Sequence, residues 1–243
     1  MAGFAASQDS NHVWCEVLNP QSMRSYRINQ VDSAPPHTGE IEGTSWESAP
    51  RMSIDQFNWY ESGPQPATHA RMLYDDASLH VWWTVEDHSI SSSVTTLNGP
   101  THQDSSVELF ADVGTDSHYF NFEVNCCGYF LLAWQPFEGA ERDERRVIDP
   151  ESAEAICITS SVDGPTKEAH PDDMHWWLVA SIPFSTLSML TEMDVSPATE
   201  STWRGNVYRS GVESSSQLAS WNAIKSSEPD YHQPSFFGGF QFG

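Results

Sequence analysis

Short runs in which hydrophobic and polar residues alternate recur along the chain, separated by clusters of Gly, Pro, Asn and Asp. A period of two is typical of half-buried β-strands, whereas the 3.6-residue period of amphipathic helices is nearly absent. The pattern therefore predicts an all-β fold, an antiparallel β-sandwich with one or two short helices. Strands are expected at residues 25–31, 67–74, 78–86, 105–111, 119–125, 129–134, 155–161, 175–182, 202–209, 219–222 and 238–242.

One short helix is expected at residues 183–190. Pro183 suits the first turn of a helix, and Phe184, Leu187 and Leu190 fall on one helical face. The domain prediction is an N-terminal extension over residues 1–21, followed by a single domain over residues 22–243. We expect a soluble protein because the start lacks a signal-peptide pattern and no run of about 18 apolar residues occurs. Both a cytoplasmic protein and an exported one whose leader has been removed fit this pattern.

Three of the predicted strands share an unusual asymmetry, with one apolar face and one face of planar polar groups. In the strand YFNFEVN, the polar face carries Asn121, Glu123 and Asn125. The polar faces of the strands SSVELFAD and WRGNVYR carry Glu108, Arg204, Asn206 and Tyr208. Carboxylate, amide, guanidinium and phenol groups pair well with the hydroxyls of a sugar, whose C–H faces also pack on aromatic rings. The three strands together therefore indicate a saccharide-binding face.

The charge of the chain narrows the set of partners. Thirty-four acidic and eleven basic residues give a formal net charge of −23. Such a chain repels phosphate backbones and anionic lipids, so neither nucleic acid nor a membrane is an expected partner.

Cysteines and histidines give no metal or redox motif. Cys15, Cys126, Cys127 and Cys157 have neither CxxC nor Cys/His ligand spacing, and we interpret them as free and mostly packed thiols.

Acidic loops at residues 75–76, 112–116 and 171–173 could supply oxygen ligands to a hard cation such as calcium. No cofactor is expected to be required.

Five ordered segments carry a family resemblance. They are ARMLYDDASLHVWWTVEDHSI, QDSSVELFAD, YFNFEVNCCG, WWLVASIPFSTL and the C-terminal WRGNVYRSGVESSSQLASWNAIKSSEPDYHQPSFFGGFQF. Together, from about Gly39 to Phe242, they resemble the family-9 carbohydrate-binding modules, in the stand-alone "carbohydrate-binding family 9-like" branch. The resemblance implies a sandwich of jelly-roll or DOMON-like type and non-catalytic binding of glucan or xylan chain ends between two aromatic rings. It also implies a structural calcium ion.

The resemblance assigns roles to particular residues. It implies that Tyr231 is the stacking ring and that the loop NGPTHQ, where relatives have a second Trp, offers only the ring of His102. Arg204 is expected either to contact the sugar or to neutralise the two glutamates, and Trp221 is assigned either to the core or to a sugar platform. The full expected ligand set is Glu108, Glu123, Asn125, Arg204, Asn206, Tyr208, Trp221, Tyr231, His232 and His102.

Two other functions stay open at this point. Glu108 and Glu123 could act as the acid and base of a glycoside hydrolase if their carboxyl groups were about 5–9.5 Å apart across a cleft. Alternatively, the sandwich could have lost its sugar affinity and serve as an interaction module. Non-catalytic binding is preferred because the members of the resembled family bind sugars without hydrolysing them.

Overall fold

The structure is a computed structural model that describes residues 23–137, 144–166, 170, 172–211 and 217–243. The expected extension over residues 1–21, including Cys15, lies outside the described residues, so the domain boundary stays a prediction. No helix in the described part of the chain has the length and the apolar character needed to cross a bilayer.

All eleven predicted strands are present, with ends that differ from the prediction by at most two residues. The strands are β1 (Ser25–Gln30), β2 (Met52–Ser53), β3 (Thr68–Tyr74), β4 (Ser78–Glu86), β5 (Ser106–Asp112), β6 (His118–Asn125), β7 (Phe130–Pro136), β8 (Arg146–Val147), β9 (Cys157–Ser160), β10 (His175–Pro183), β11 (Thr202–Ser210), β12 (Ala219–Ser220) and β13 (Gly238–Phe242). Strands β2 and β8 were not predicted, because two residues are too few to show alternation. The helices are α1 (Pro150–Ala153) and α2 (Phe184–Thr191), and α2 buries Phe184, Leu187 and Leu190 as expected.

The strands form two sheets that share β1. The site sheet has the order β8-β7-β6-β5-β11-β13, with β12 paired to β11, and the back sheet has the order β3-β4-β10-β9, with β2 paired to β3. The first four residues of β1 pair with β13, and its last two pair with β3. Both of these pairings are parallel, so the predicted β-sandwich is confirmed but its sheet is mixed rather than purely antiparallel.

The core lies between the two sheets and follows the predicted alternation. Trp83 of β4 and Trp176 of β10 are fully buried, and the Trp83 ring lies 6.5 Å from the ring of Phe122 in the site sheet. Their neighbours Trp82 and Trp177 point outward, where Trp46 packs over the back sheet. One ring of each Trp pair thus packs in the core, because neighbouring residues on a strand point to opposite faces of the sheet.

The described cysteines, Cys126, Cys127 and Cys157, are free thiols. Cys126 is buried and Cys127 is half-buried in the turn between β6 and β7, whereas Cys157 is exposed on β9. The predicted packing therefore holds for the adjacent pair and not for Cys157.

Candidate functional site

The polar faces predicted for three strands lie side by side in the site sheet. Strands β6, β5 and β11 are neighbours, and the register places Glu108 opposite Glu123 on one side and opposite Tyr208 on the other. The next row places Phe110 between Asn121 and Asn206. These rows face away from the core, because the apolar residues that alternate with them, such as Leu109 and Phe122, pack inside the sandwich.

A cavity of about 560 Å³ opens over this face of the sheet. Its floor includes Glu108, Glu123 and Leu131, which come from three adjacent strands. Its walls come from loops, chiefly residues 98–102 ahead of β5 and residues 229–232 ahead of β13. The volume falls within the range of about 300–1,000 Å³ that is usual for small-molecule sites.

The two glutamates dominate the floor. Both are nearly inaccessible, with 3% exposure for Glu108 and 5% for Glu123. The Asn121 amide donates a hydrogen bond of 2.9 Å to Glu123 Oε1. Glu123 Oε2 accepts no hydrogen bond from the described residues, although His102 Nδ1 lies 3.4 Å away. One carboxylate oxygen of the floor is therefore left for a donor that enters the cavity.

The surroundings of the two carboxyl groups shift their pKa values in opposite directions. Burial, and then the charge of Glu123, raise the pKa of Glu108 well above its usual value, while the Ser210 hydroxyl opposes the shift. For Glu123, burial also raises the pKa, but the nearby His102 ring and the hydrogen bond from Asn121 outweigh burial and lower the pKa. Two adjacent buried carboxyl groups cannot both ionise cheaply. The surroundings of the floor thus favour the protonated form at Glu108 and the ionised form at Glu123.

Aromatic rings close one side of the cavity. The ring of Tyr231 stacks on Tyr208 at 4.2 Å, and its hydroxyl donates to the Arg209 carbonyl at 2.6 Å, so only 9% of this residue is exposed. The half-buried Trp59 ring lies 5.7 Å from Tyr231. A sugar between two rings needs two contact distances of about 3.5–4 Å each. Tyr231 and Trp59 are too close for that, so they form one continuous wall.

The expected opposite wall contains His102, with Tyr119 and His232 adjoining the glutamates. His102 is partly exposed and faces Glu123. The Tyr119 hydroxyl and His232 Nδ1 lie 2.5 Å apart, and the His232 ring stacks on Phe110. The structure thus brings together five of the residues assigned from the sequence: Glu108, Glu123, His102, Tyr231 and His232.

Tyr208 lies beneath this group rather than in it. It is fully buried, and its hydroxyl donates to the Tyr231 carbonyl at 3.2 Å. Tyr208 therefore supports the Tyr231 ring and does not reach the cavity as a reader of sugar hydroxyls.

Four assigned residues lie away from the cavity and contact other parts of the chain instead. The amide of Asn125 bonds to Ser92 Oγ, the Val94 carbonyl and Asp104 Oδ2, and the amide of Asn206 bonds to the backbone of Asn222. Arg204 donates to the Pro234 carbonyl and faces the carboxylates of Asp112 and Asp116 instead of Glu108 and Glu123. Trp221 is 4% exposed and stacks on Phe240 in the core.

Several lining residues were missed by the sequence reasoning. Tyr119 could have been found, because it shares the alternation of Asn121 and Glu123 on β6. Gln135 lies opposite it on β7. Trp59 and Asp230 come from loops without periodicity, so no local pattern indicated them.

The acidic loops considered for calcium use their carboxylates in turns. Asp75 Oδ1 accepts the backbone N–H groups of Ala77 and Ser78, and Asp112 Oδ1 accepts those of Gly114 and Thr115. Over the described residues, no group of three or more His, Cys, Asp or Glu side chains is placed to hold a metal ion. Calcium binding stays an untested expectation.

Comparison with known proteins identifies the family. A family model described as Carbohydrate-binding family 9 matches residues 44–242. The chain belongs to carbohydrate-binding family 9. The resemblance inferred from the five ordered segments is therefore confirmed. A sequence comparison with proteins of curated function finds no match.

Solved structures with the same fold include family 9 modules. A protein of Bacteroides uniformis ATCC 8492, named provisionally as carbohydrate-binding, superposes with a TM-score of 0.79 at 25% identity, over 91% of this chain and 100% of that chain. A family 9 module of Caldicellulosiruptor kristjanssonii in complex with glucose gives 0.57 at 15% identity, over 89% and 95% of the two chains. A family 9 module of the same organism in complex with cellotriose gives a TM-score of 0.58 at 15% identity, over 90% and 93% of the two chains.

Proposed function

We propose that this family 9 chain binds a saccharide without hydrolysing it, in the cavity over the site sheet. The observation that carries the proposal is the floor of that cavity. Glu108 and Glu123 meet there from adjacent strands, beneath an aromatic wall, and one carboxylate oxygen, Glu123 Oε2, faces His102 at 3.4 Å but accepts no hydrogen bond from the described residues. A hydroxyl-rich ring would satisfy that oxygen, and its C–H face would cover apolar area on the wall.

A glucan-type or xylan-type saccharide, or its chain end, is the ligand we favour. The family 9 structures of Caldicellulosiruptor kristjanssonii hold glucose and cellotriose. Glucose and xylose rings both present equatorial hydroxyls for the floor and a C–H face for a ring. Trp59 is the more accessible ring of the aromatic wall, because it is half-buried, whereas Tyr231 is buried and has one face covered by Tyr208.

Glycoside hydrolysis is the second candidate, and one observation favours it. The pKa of Glu108 is raised and that of Glu123 is lowered, as in an acid and base pair. However, the two residues lie directly opposite each other on neighbouring strands, so their side chains leave the same face of the sheet. Glycosidase carboxyls flank the scissile bond. Side by side on one floor, Glu108 and Glu123 are better placed to bind one ring than to attack from both sides.

The binding test is calorimetry with glucose, cellotriose and xylotriose, on the wild type and on two neighbouring aromatic variants. Trp59→Ala removes an aromatic wall of the cavity and should weaken binding by about 1–3 kcal/mol. Tyr60→Ala is the matched control, because Tyr60 is exposed and lies outside the cavity lining. It should leave affinity unchanged.

The outcomes separate the three functions. Sugar binding that is weakened in Trp59→Ala and unchanged in Tyr60→Ala supports the proposal. Release of reducing sugar that Glu108→Gln or Glu123→Gln abolishes would favour the hydrolase. Absence of binding to a broad panel of glycans would instead favour an interaction module built on this scaffold.

A further inference from the structure

We propose that Glu108 and Glu123 form a donor and acceptor pair that selects neutral sugars, with Glu108 donating to one ring hydroxyl, Glu123 accepting from another, and uronic acids rejected. The inference rests on the proposed function and deepens it. It assigns a distinct hydrogen-bonding role to each carboxyl group and names the class of sugar that fits both.

The first step is the geometry of the pair. Directly opposite residues on antiparallel strands have Cβ atoms about 4.5–5.5 Å apart, so two glutamate side chains on one face reach the same small region. Register places Glu108 and Glu123 in this relation, and both line the cavity. Two adjacent hydroxyls of one sugar ring can therefore meet both carboxyl groups at once.

The second step is the surroundings of Glu108. Over the described residues no Lys, Arg or His forms an ion pair with it, and its neighbours are Tyr208 and Glu123 across the strands and the Ser210 hydroxyl. Tyr231 also faces it from the C-terminal loop. Because no cation forms an ion pair with Glu108 in the described part of the chain, burial and the Glu123 charge favour its protonated form. A neutral carboxyl group has one O–H to donate.

The third step is the surroundings of Glu123. His102 and Asn121 contact its carboxylate, and His232 acts on it from the opposite loop. These groups keep it ionised, so it only accepts. Asp230 and Arg145 also line the cavity and are the remaining charged groups among its described residues.

The ligand class follows from the charges on the floor. A neutral ring supplies hydroxyls that both donate and accept, and it satisfies Glu108 and Glu123 together. A uronic acid would bring a third carboxyl group to a buried floor that already carries an anion. Like charges at this distance in a desolvated site repel strongly, so the uronate is disfavoured.

The test measures affinity against pH for the wild type, Glu108→Gln and Glu123→Gln, with cellotriose and with glucuronic acid. The wild type should lose affinity for cellotriose as pH rises and Glu108 ionises. Glu108→Gln keeps a donor that cannot ionise, so its affinity should stay near the neutral-pH value of the wild type and show no alkaline loss. Glu123→Gln should weaken binding about tenfold to a hundredfold, the range for a lost hydrogen bond to a charged group.

A second measurement checks protonation without a ligand. Carbon-13 titration of the glutamate side chains should show one carboxyl group that stays protonated through neutral pH and that disappears in Glu108→Gln. The inference is overturned if Glu108→Gln loses affinity at neutral pH, if wild-type binding shows no alkaline loss, or if glucuronic acid binds as well as glucose. If no sugar binds at any pH, the proposed function itself fails, which is a separate result.

Discussion

Replacing Glu108 by Gln should stabilise the fold, and increasingly so as the pH rises. The unfolded chain releases the Glu108 proton near the ordinary value of 4.5, whereas in the folded chain burial and the Glu123 charge raise the pKa well above it. Between these two values, unfolding releases one proton. The contribution of Glu108 to the free energy of unfolding is therefore highest below pH 4.5 and falls by about 1.4 kcal/mol per pH unit above it.

The expected magnitude follows from that slope. From pH 5.5 to pH 7.5 the free energy of unfolding of the wild type should fall at up to that slope through this one group, as long as Glu108 stays protonated in the folded chain. Gln has nearly the same shape and does not titrate. The difference in unfolding free energy between Glu108→Gln and the wild type should therefore grow by up to the same amount over this interval.

The assay is urea unfolding followed by Trp fluorescence at pH 5.5, 6.5 and 7.5. The chain has ten Trp, several of them in the core. Glu61→Gln is the control, because Glu61 is exposed and its carboxylate meets water in both states. Its difference from the wild type should not change with pH. If the difference in unfolding free energy between Glu108→Gln and the wild type is equally independent of pH, Glu108 is not held in its protonated form on the cavity floor.

Two further predictions concern groups outside the cavity. A hydrogen bond from the Cys126 thiol lowers the pKa of Cys127 to about 7, so iodoacetamide should label Cys127 with a midpoint near this pH, as followed by peptide mass spectrometry. A midpoint near the ordinary value of about 8.5 would contradict this. Burial lowers the pKa of His80, so the unfolded chain takes up its proton first as the pH falls below about 6.5, and stability drops. His80→Gln should remove up to about 1.4 kcal/mol of that drop per pH unit in urea unfolding, and an unchanged acid slope would count against it.

Residue alternation predicted the strands and the shared polar face, because a strand's two faces are set by sequence alone. Glu108 and Glu123 could be assigned to one cleft on that basis, and the register places them opposite each other. The same alternation placed Asn125 and Asn206 on the polar face, yet neither reaches the cavity. Their amides bond to loop residues far along the chain, such as Asp104 and Asn222, and periodicity holds no information on these contacts.

The aromatic wall was harder to predict for a similar reason. Tyr231 was assigned as a free stacking ring, whereas its hydroxyl and one ring face are used by Arg209 and Tyr208. Trp59 lies in a loop whose position depends on packing against the C-terminal segment, where its indole N–H donates to the Ser226 carbonyl. Which ring is free for a ligand is thus decided by how loops cover the sheet.

A crystal structure of the protein soaked with cellotriose or xylotriose would test the location of binding most directly. We expect a sugar ring in the cavity, with hydroxyls on Glu108 and Glu123 and a C–H face on Trp59. A saccharide bound on another surface, with this cavity left empty, would contradict the account.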